Sequence, residues 1–273
     1  MKSYLLDNTG YNVTPDFFEP DYYSGPGGMM KDYHMHSCFE LSFVVEGPLT
    51  VLFDHSVYKV SQSCLILSRP YTPHYMVSDD AQKYIRYNFF FSGSFVSGFG
   101  YEMGQLLSIF KKNGNLIWLT REDQKQLSGI AEMILSEKEQ LGRRLLLLLF
   151  LHKIQNIYKE SDTTRQPEPY LHYINDILHF IAENYGSKLV AADMANRFYI
   201  SRTKLMADFK LITGTTLNTY ITHLRLQKAL DMLLKGSTIS EAALECGFGD
   251  NCNFIRVFKK QYRTTQMKFI TNF

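Results

Sequence analysis

Two sets of side chains in this sequence have types and spacings that could do chemistry. The first runs Gly28, five residues, His34-Met35-His36, three residues, Glu40, six residues and Gly47. Successive side chains on a β-strand alternate between faces, so His34 and His36 share one, and Glu40 shares it if no bulge intervenes. His74, in the run Pro70-Tyr71-Thr72-Pro73-His74, is a fourth candidate that a family resemblance adds and that spacing along the chain does not. Three imidazoles and a carboxylate suit a divalent transition metal with open positions. They also suit the polar lining of a pocket for an organic effector, or structural histidines with satisfied hydrogen bonds. Nothing beside them supplies the purpose an enzyme would need, so effector binding is the preferred reading and no metal or cofactor is assigned.

The second set is Arg202, Thr203, Met206 and Lys210, echoed by Asn251, Asn253, Arg256 and Lys259. Arginine and asparagine can read base edges in a major groove, and lysine suits backbone phosphates. These residues sit in a pattern written twice. Ala195, Tyr199-Ile200, Ser201, Leu205 and Phe209-Lys210 are matched by Ala243, Gly247-Phe248, Asp250, Phe254 and Phe258-Lys259, with an offset of 48 residues up to the turn and 49 beyond it. The small residue lets two helices approach, the turn swings the chain round, and Ser201 or Asp250 caps the second helix. Leu205 with Phe209, and Phe254 with Phe258, then lie four apart on one buried face, leaving the polar set outward. Each copy reads as a helix-turn-helix. Between them, Thr216 to Leu234 reads as one continuous helix ending before Gly236. Its length approaches the roughly 34 Å between successive major-groove faces.

Other elements must position the first set. From His34 to about Phe91, short runs alternate in hydrophobicity: Phe39 to Val45, Leu49 to Phe53, Val57 to Val60, Cys64 to Leu67, Tyr75 to Val77 and Tyr84 to Phe91. Six short strands with frequent breakers predict a small β-barrel or jelly roll. The lead-in before them is irregular and can contribute an edge strand. A helix is predicted around Met103 to Lys111, an extended piece at Leu116 to Leu119, and two helices at Glu122 to Glu139 and Leu141 to Glu160. The second is apolar nearly all round at Leu145 to Leu151, so it needs cover on more than one side, from the barrel and from a second protomer. Ser161 to Pro169, polar with two prolines, is the interdomain linker.

These residues carry two resemblances. The spacing from Gly28 to Gly47 is similar to the first motif of the cupin superfamily, in which two histidines and a glutamate ligate a metal; the second motif, around His74, is degraded. The stretch from about Leu171 to Phe273 resembles the DNA-binding domain of the AraC/XylS family of bacterial transcription regulators. The matching segments are FKLITGTTLNTYITHLRLQKALDMLL and TISEAALECGFGDNCNFIRVFKK. The resemblance implies sequence-specific promoter binding, usually with activation of transcription through RNA polymerase, and dimerisation through the helices of the first half. The chain departs from the pattern at Arg263, Gln266 and Ile270.

At 273 residues, with a formal charge of +2, the chain divides unevenly. From Leu171 onward 13 Lys and Arg face 8 Asp and Glu, whereas 16 face 19 before it, so the positive charge sits with the proposed DNA reader. Four cysteines without CxxC pairing suit a reduced compartment. No signal-peptide core is present, and the longest apolar run, seven residues, is too short to cross a bilayer, so a cytoplasmic, membrane-free protein is expected. The sequence therefore predicts an α+β chain in two domains. Residues 1–160 form a cupin-like effector-sensing and dimerisation barrel, 161–170 a linker, and 171–273 an all-α reader with two helix-turn-helices. Its partners are promoter DNA, a small molecule that includes sugars as a class, and a second copy of itself. A metal-dependent cupin enzyme or metal sensor tethered to DNA is the competing reading.

Overall fold

The computed structural model describes residues 16–27, 38–53, 55–72, 74–78, 82–97, 105–110, 115–160, 173–262 and 266. His34, His36 and the linker segment lie outside the described residues. Among the described residues the N-terminal half holds eight strands, β1 (Phe18–Pro26), β2 (Phe39–Glu46), β3 (Leu49–Phe53), β4 (Ser56–Val60), β5 (Cys64–Ser68), β6 (Tyr75–Ser78), β7 (Lys83–Phe91) and β8 (Asn115–Trp118). Five form an antiparallel sheet in the order β1-β7-β2-β5-β8, and three form a second in the order β4-β3-β6.

The expected barrel is not closed: no ladder joins the two sheets among the described residues. Gly47, at φ 110°, and Pro48, which has no N–H to donate, break the strand and carry the chain from β2 to the other sheet. The result is an open sandwich. The predicted strands appear where the alternation put them, the lead-in supplies edge strand β1, and the Met103 to Lys111 region contains a 3₁₀ helix at Gln105–Phe110.

Strand parity sorts the five-stranded sheet. Leu41, Phe43, Leu65, Leu67, Tyr87, Phe89 and Phe91 pack with residues of helices α2 (Arg121–Ser136) and α3 (Gln140–Glu160), which follow the short helix α1 (Gly93–Ser97). Val44, Cys64, Ile66 and Tyr84 pack instead with Leu49, Val51, Val60 and Met76 of the small sheet. Both faces are thus covered. On α3, Leu147, Phe150, Leu151 and Ile154 are buried, while Leu141, Leu145 and Leu149, four apart on another side, are 59%, 53% and 42% exposed.

The C-terminal half comprises α4 (Tyr173–Asn184), α5 (Ala191–Arg197), α6 (Arg202–Thr213), α7 (Leu217–Leu234), α8 (Ile239–Glu245) and α9 (Asn251–Tyr262). Thr216 caps α7 by accepting from the Thr219 N–H, and Thr238 with Glu241 makes a capping box on α8. The first half of α7 contributes Leu217, Tyr220, Ile221 and Leu224 to one core, and its second half contributes Leu226, Ala229, Leu230 and Leu233 to another.

The small sheet docks on the helical half. Leu52, Val57 and Tyr75 join the core built by Ile174, Ile177, Leu178, Phe209 and Tyr220. The Val57 N–H donates to Asn175 Oδ1 at 2.9 Å, which occupies part of the exposed edge of β4. His55 Nδ1 lies 2.9 Å from the Tyr220 hydroxyl, and Ser56 Oγ 3.2 Å from His179 Nε2. Farther along, Arg69 pairs with Asp231 at 3.3 Å and the Tyr71 ring meets Tyr262 edge-on at 5.5 Å. Arg86 on β7 is likewise ion-paired, with Asp21 of β1 at 3.7 Å.

Gly214 closes α6 in the left-handed region at φ 69°, and a methyl added there would run into the Tyr75 ring. Gly236, at φ 94° after α7, has open space around it. Gly214→Ala and Gly236→Ala therefore share a conformational cost, and only the first adds a clash, of about 1–3 kcal/mol. Urea midpoints should fall farther for Gly214→Ala; equal losses would show that Tyr75 does not pack against that helix end.

Candidate functional site

The two helix-turn-helix units close with the same backbone hydrogen bonds. In the first, the Tyr199 N–H donates to Asn196 O at 3.2 Å and the Ile200 N–H to Ala195 O at 3.0 Å. In the second, Gly247 donates to Leu244 O at 3.1 Å and Phe248 to Ala243 O at 3.0 Å. This is the Schellman pattern, with residues 199 and 247 left-handed at φ 54° and 73°. Ser201 Oγ then accepts from the Lys204 N–H, and Asp250 Oδ1 from the Asn253 N–H. The additional residue in the second loop is Gly249, at φ 82°. Leu205, Phe209, Phe254 and Phe258 are all fully buried.

Of the first set of reading residues, Arg202, Thr203 and Lys210 are exposed on α6, whereas Met206 is half-buried against the core below it. Lys204, not singled out from sequence, pairs with Asp208 at 2.6 Å, and Asp208 also accepts from the Tyr173 hydroxyl. On α9, Arg256 and Lys259 are exposed. Asn251 donates to Ser240 Oγ at 2.8 Å. Asn253 is half-buried: its Nδ2 donates to Phe248 O at 2.9 Å and its Oδ1 accepts from Arg256 Nη2 at 2.9 Å. In this arrangement the Asn253 amide is turned into its own loop and holds the Arg256 guanidinium. Arg225, which sequence reasoning missed, donates to Tyr185 O at 2.7 Å and Ser187 O at 2.8 Å, fixing the segment between α4 and α5 to α7.

In the sensor half, two of the four predicted residues meet. Glu40 Oε2 and His74 Nε2 are 2.8 Å apart, with side chains 2% and 1% exposed. Glu40 Oε1 accepts from Asn88 Nδ2 at 3.2 Å and Ser42 Oγ at 3.3 Å, and His74 Nδ1 lies 2.9 Å from Thr72 O. Burial by itself would lower the His74 pKa, but the Glu40 charge and hydrogen bond outweigh it and the pKa is raised. Among the described residues, Thr72 Oγ1 and Asn88 Oδ1 are buried with no hydrogen-bond partner. These two polar atoms beside a charged pair give the cluster capacity for further hydrogen bonds. Ser42 and Asn88 had a sequence signal: each stands between apolar neighbours, Leu41 and Phe43 or Tyr87 and Phe89, and they face each other across the β2–β7 ladder. Among the described residues no three His, Cys, Asp or Glu side chains group as metal ligands, and no helix is long and apolar enough to cross a membrane.

Comparison with known proteins matches both halves. Residues 26–151 match the family described as AraC-like ligand binding domain, and residues 194–271 a helix-turn-helix domain family. The transcriptional activator RhaS of Yersinia pestis is 24% identical over 239 residues, spanning 84% of this chain and 85% of its own length. An uncharacterised HTH-type transcriptional regulator of Pseudoalteromonas carrageenovora is 33% identical over 100 residues, 37% of this chain and 60% of the relative. Among solved structures, ToxT of Vibrio cholerae aligns over 93% of this chain and 98% of its own at 15% identity, with a TM-score of 0.37.

Replacing His74 by Ala should cost about 3–5 kcal/mol, because the buried Glu40 carboxylate loses its imidazolium partner; Glu40→Gln in the same chain should recover part of that. A raised pKa means that folded His74 holds its proton more tightly than the unfolded chain does. The contribution is therefore complete below the ordinary value of 6.5 and is lost as pH rises through the raised one. Urea midpoints of the wild type and His74→Ala, measured across that range, should draw together on the alkaline side.

Proposed function

The chain belongs to the AraC/XylS family of transcription regulators, and from that premise we propose that it is a cytoplasmic activator whose DNA affinity is set by a small polar effector. DNA binding and transcription regulation follow from the family. The proposal concerns which residues do the work and how the halves communicate. The observation that carries it is the doubled helix-turn-helix with matched turns and caps, joined by a helix of 18 residues, or about 27 Å. That length suits α6 and α9 to consecutive major-groove faces of one duplex.

Arg256, held by Asn253, is the first choice for base readout, supported by Asn251 and by Arg202 and Thr203 on α6. Lys210 and Lys259 serve phosphates. The effector is assigned to the polar cluster around Glu40, His74, Asn88 and Thr72, with His34 and His36 as further lining residues. Unpaired buried donors and acceptors there favour a ligand rich in hydroxyls, and sugars are the class to screen first. The route to the reader is short. The Thr72 carbonyl accepts from His74 Nδ1, and its N–H donates to Arg69 O at 3.2 Å; just before it in the chain stand Tyr71 and Arg69, the residues that meet Tyr262 and Asp231. A ligand that moves His74 thereby changes how both α7 and α9 are held. The reading involves binding and switching rather than catalysis. The exposed leucines of α3 are assigned to a homodimer, and RNA polymerase to the promoter complex.

Arg256→Ala should weaken binding to a selected operator duplex by about 1–3 kcal/mol and relax sequence preference, whereas Lys210→Ala or Lys259→Ala should weaken all duplexes alike and flatten the salt dependence. Fluorescence anisotropy at several salt concentrations separates the two classes; unchanged binding by Arg256→Ala would sink the assignment of α9. For assembly, Leu145→Glu with Leu149→Glu should convert a dimer to a monomer in sedimentation equilibrium while leaving the sensor folded.

A further inference from the structure

The internal repeat provides its own control for one unusual residue. Positions 199 and 247 are 48 residues apart and do the same backbone work: each is left-handed, and each donates to the carbonyl three residues earlier. At 247 the residue is glycine, which adopts that conformation without steric cost, and a Cβ there would also come within 2.7 Å of the Gly186 carbonyl. At 199 it is tyrosine, an aromatic residue in a region that aromatic side chains rarely occupy. The turn's two backbone hydrogen bonds hold the conformation, but the side chain gives nothing in return, since Tyr199 is 96% exposed and its ring buries almost no area. Among the described residues three non-glycines have positive φ: His55 and Tyr71 both make contacts between the two halves, whereas Tyr199 projects into solvent. Strained backbone held by its surroundings clusters at functional sites.

Tyr199 stands two residues before Ser201, the cap of α6, and three before exposed Arg202. We infer that Tyr199 is a DNA contact, its phenol hydroxyl donating to a backbone phosphate beside the groove that α6 enters. The inference rests on the assignment of α6 as a reading helix. An uncharged donor on a phosphate has a distinctive signature. It adds affinity on every sequence, as phosphate contacts do. It carries no positive charge to displace a counterion, so it leaves the salt slope where it was, unlike Lys210.

The test uses the full-length protein with two duplexes, one selected by the protein from a random-sequence library and one scrambled. Tyr199→Gly should keep the wild-type melting temperature or exceed it, since glycine relieves the left-handed strain. It should bind both duplexes about tenfold more weakly, with an unchanged dependence of log K on log salt. Tyr199→Phe should reproduce most of that loss if the hydroxyl makes the contact. Wild-type affinity in Tyr199→Gly overturns the inference, as does a loss confined to the selected duplex, which would make the residue a base reader. Arg256→Ala and Lys210→Ala run alongside. If they too bind as wild type, the fault lies in the placement of both reading helices; if they are weakened and Tyr199→Gly is not, the phosphate contact alone is refuted.

Discussion

The constraint on which the reader depends is that α7 belongs to two cores at once. Its N-terminal half is buried against α4, α5 and α6, and its C-terminal half against α8 and α9. With apolar residues buried on several sides, from Leu217 to Leu233, the helix has no stable alternative to that double burial. The two units therefore cannot turn independently without opening one core or the other. With Arg225 on the same helix fixing the carbonyls of Tyr185 and Ser187, the spacing of the two reading helices becomes a property of one rigid rod. Anything that binds along α7 acts on both.

The sensor binds at two points along that rod. His55 approaches Tyr220 in its first turn, and Arg69 reaches Asp231 near its end. Asp231 and Arg69 are each about one-third exposed, so their pair is weak in itself and sensitive to salt. The Val57 to Asn175 bond is buried, so breaking it costs more. Docking thus combines a firm contact near α4 with a soft one near α9. The soft contact lies on the loop that leads into the Glu40–His74 pair. A change of geometry at the pair meets least resistance at the second reading unit.

Much of this was legible in the sequence because periodicity reports burial. Leu205, Phe209, Phe254 and Phe258 lie where a helical period puts them, and the odd and even residues of β2, β5 and β7 divide between two cores as alternation requires. The convergence of Glu40 and His74 was legible only through the cupin resemblance, whose degraded second motif offered His74 as a partner; strand parity spoke for His34, His36 and Glu40 alone. Barrel closure was not, since alternation fixes which way side chains face but not which strand becomes a neighbour. The contacts of His55, Arg69 and Tyr71 were equally hidden: they lie in loops without a period, and an arginine reads the same whether solvated or paired across an interface.

Asn253 illustrates a finer limit. A polar residue on the outward side of a reading helix has the same sequence appearance whether its amide faces a base or its own loop. Here the amide is already committed to Phe248 O and to Arg256 Nη2. Releasing it to a base edge would break two hydrogen bonds and free a long side chain, so its contribution is larger as a support than as a reader. A guanidinium held by a half-buried amide loses less rotamer freedom when it meets a base than a free one does. The same logic applies on α6 to the Lys204–Asp208 pair, where Asp208 is further held by Tyr173. The outward faces of α6 and α9 are thus organised from beneath: the position of each exposed side chain depends on what its neighbour on the inner side is bonded to.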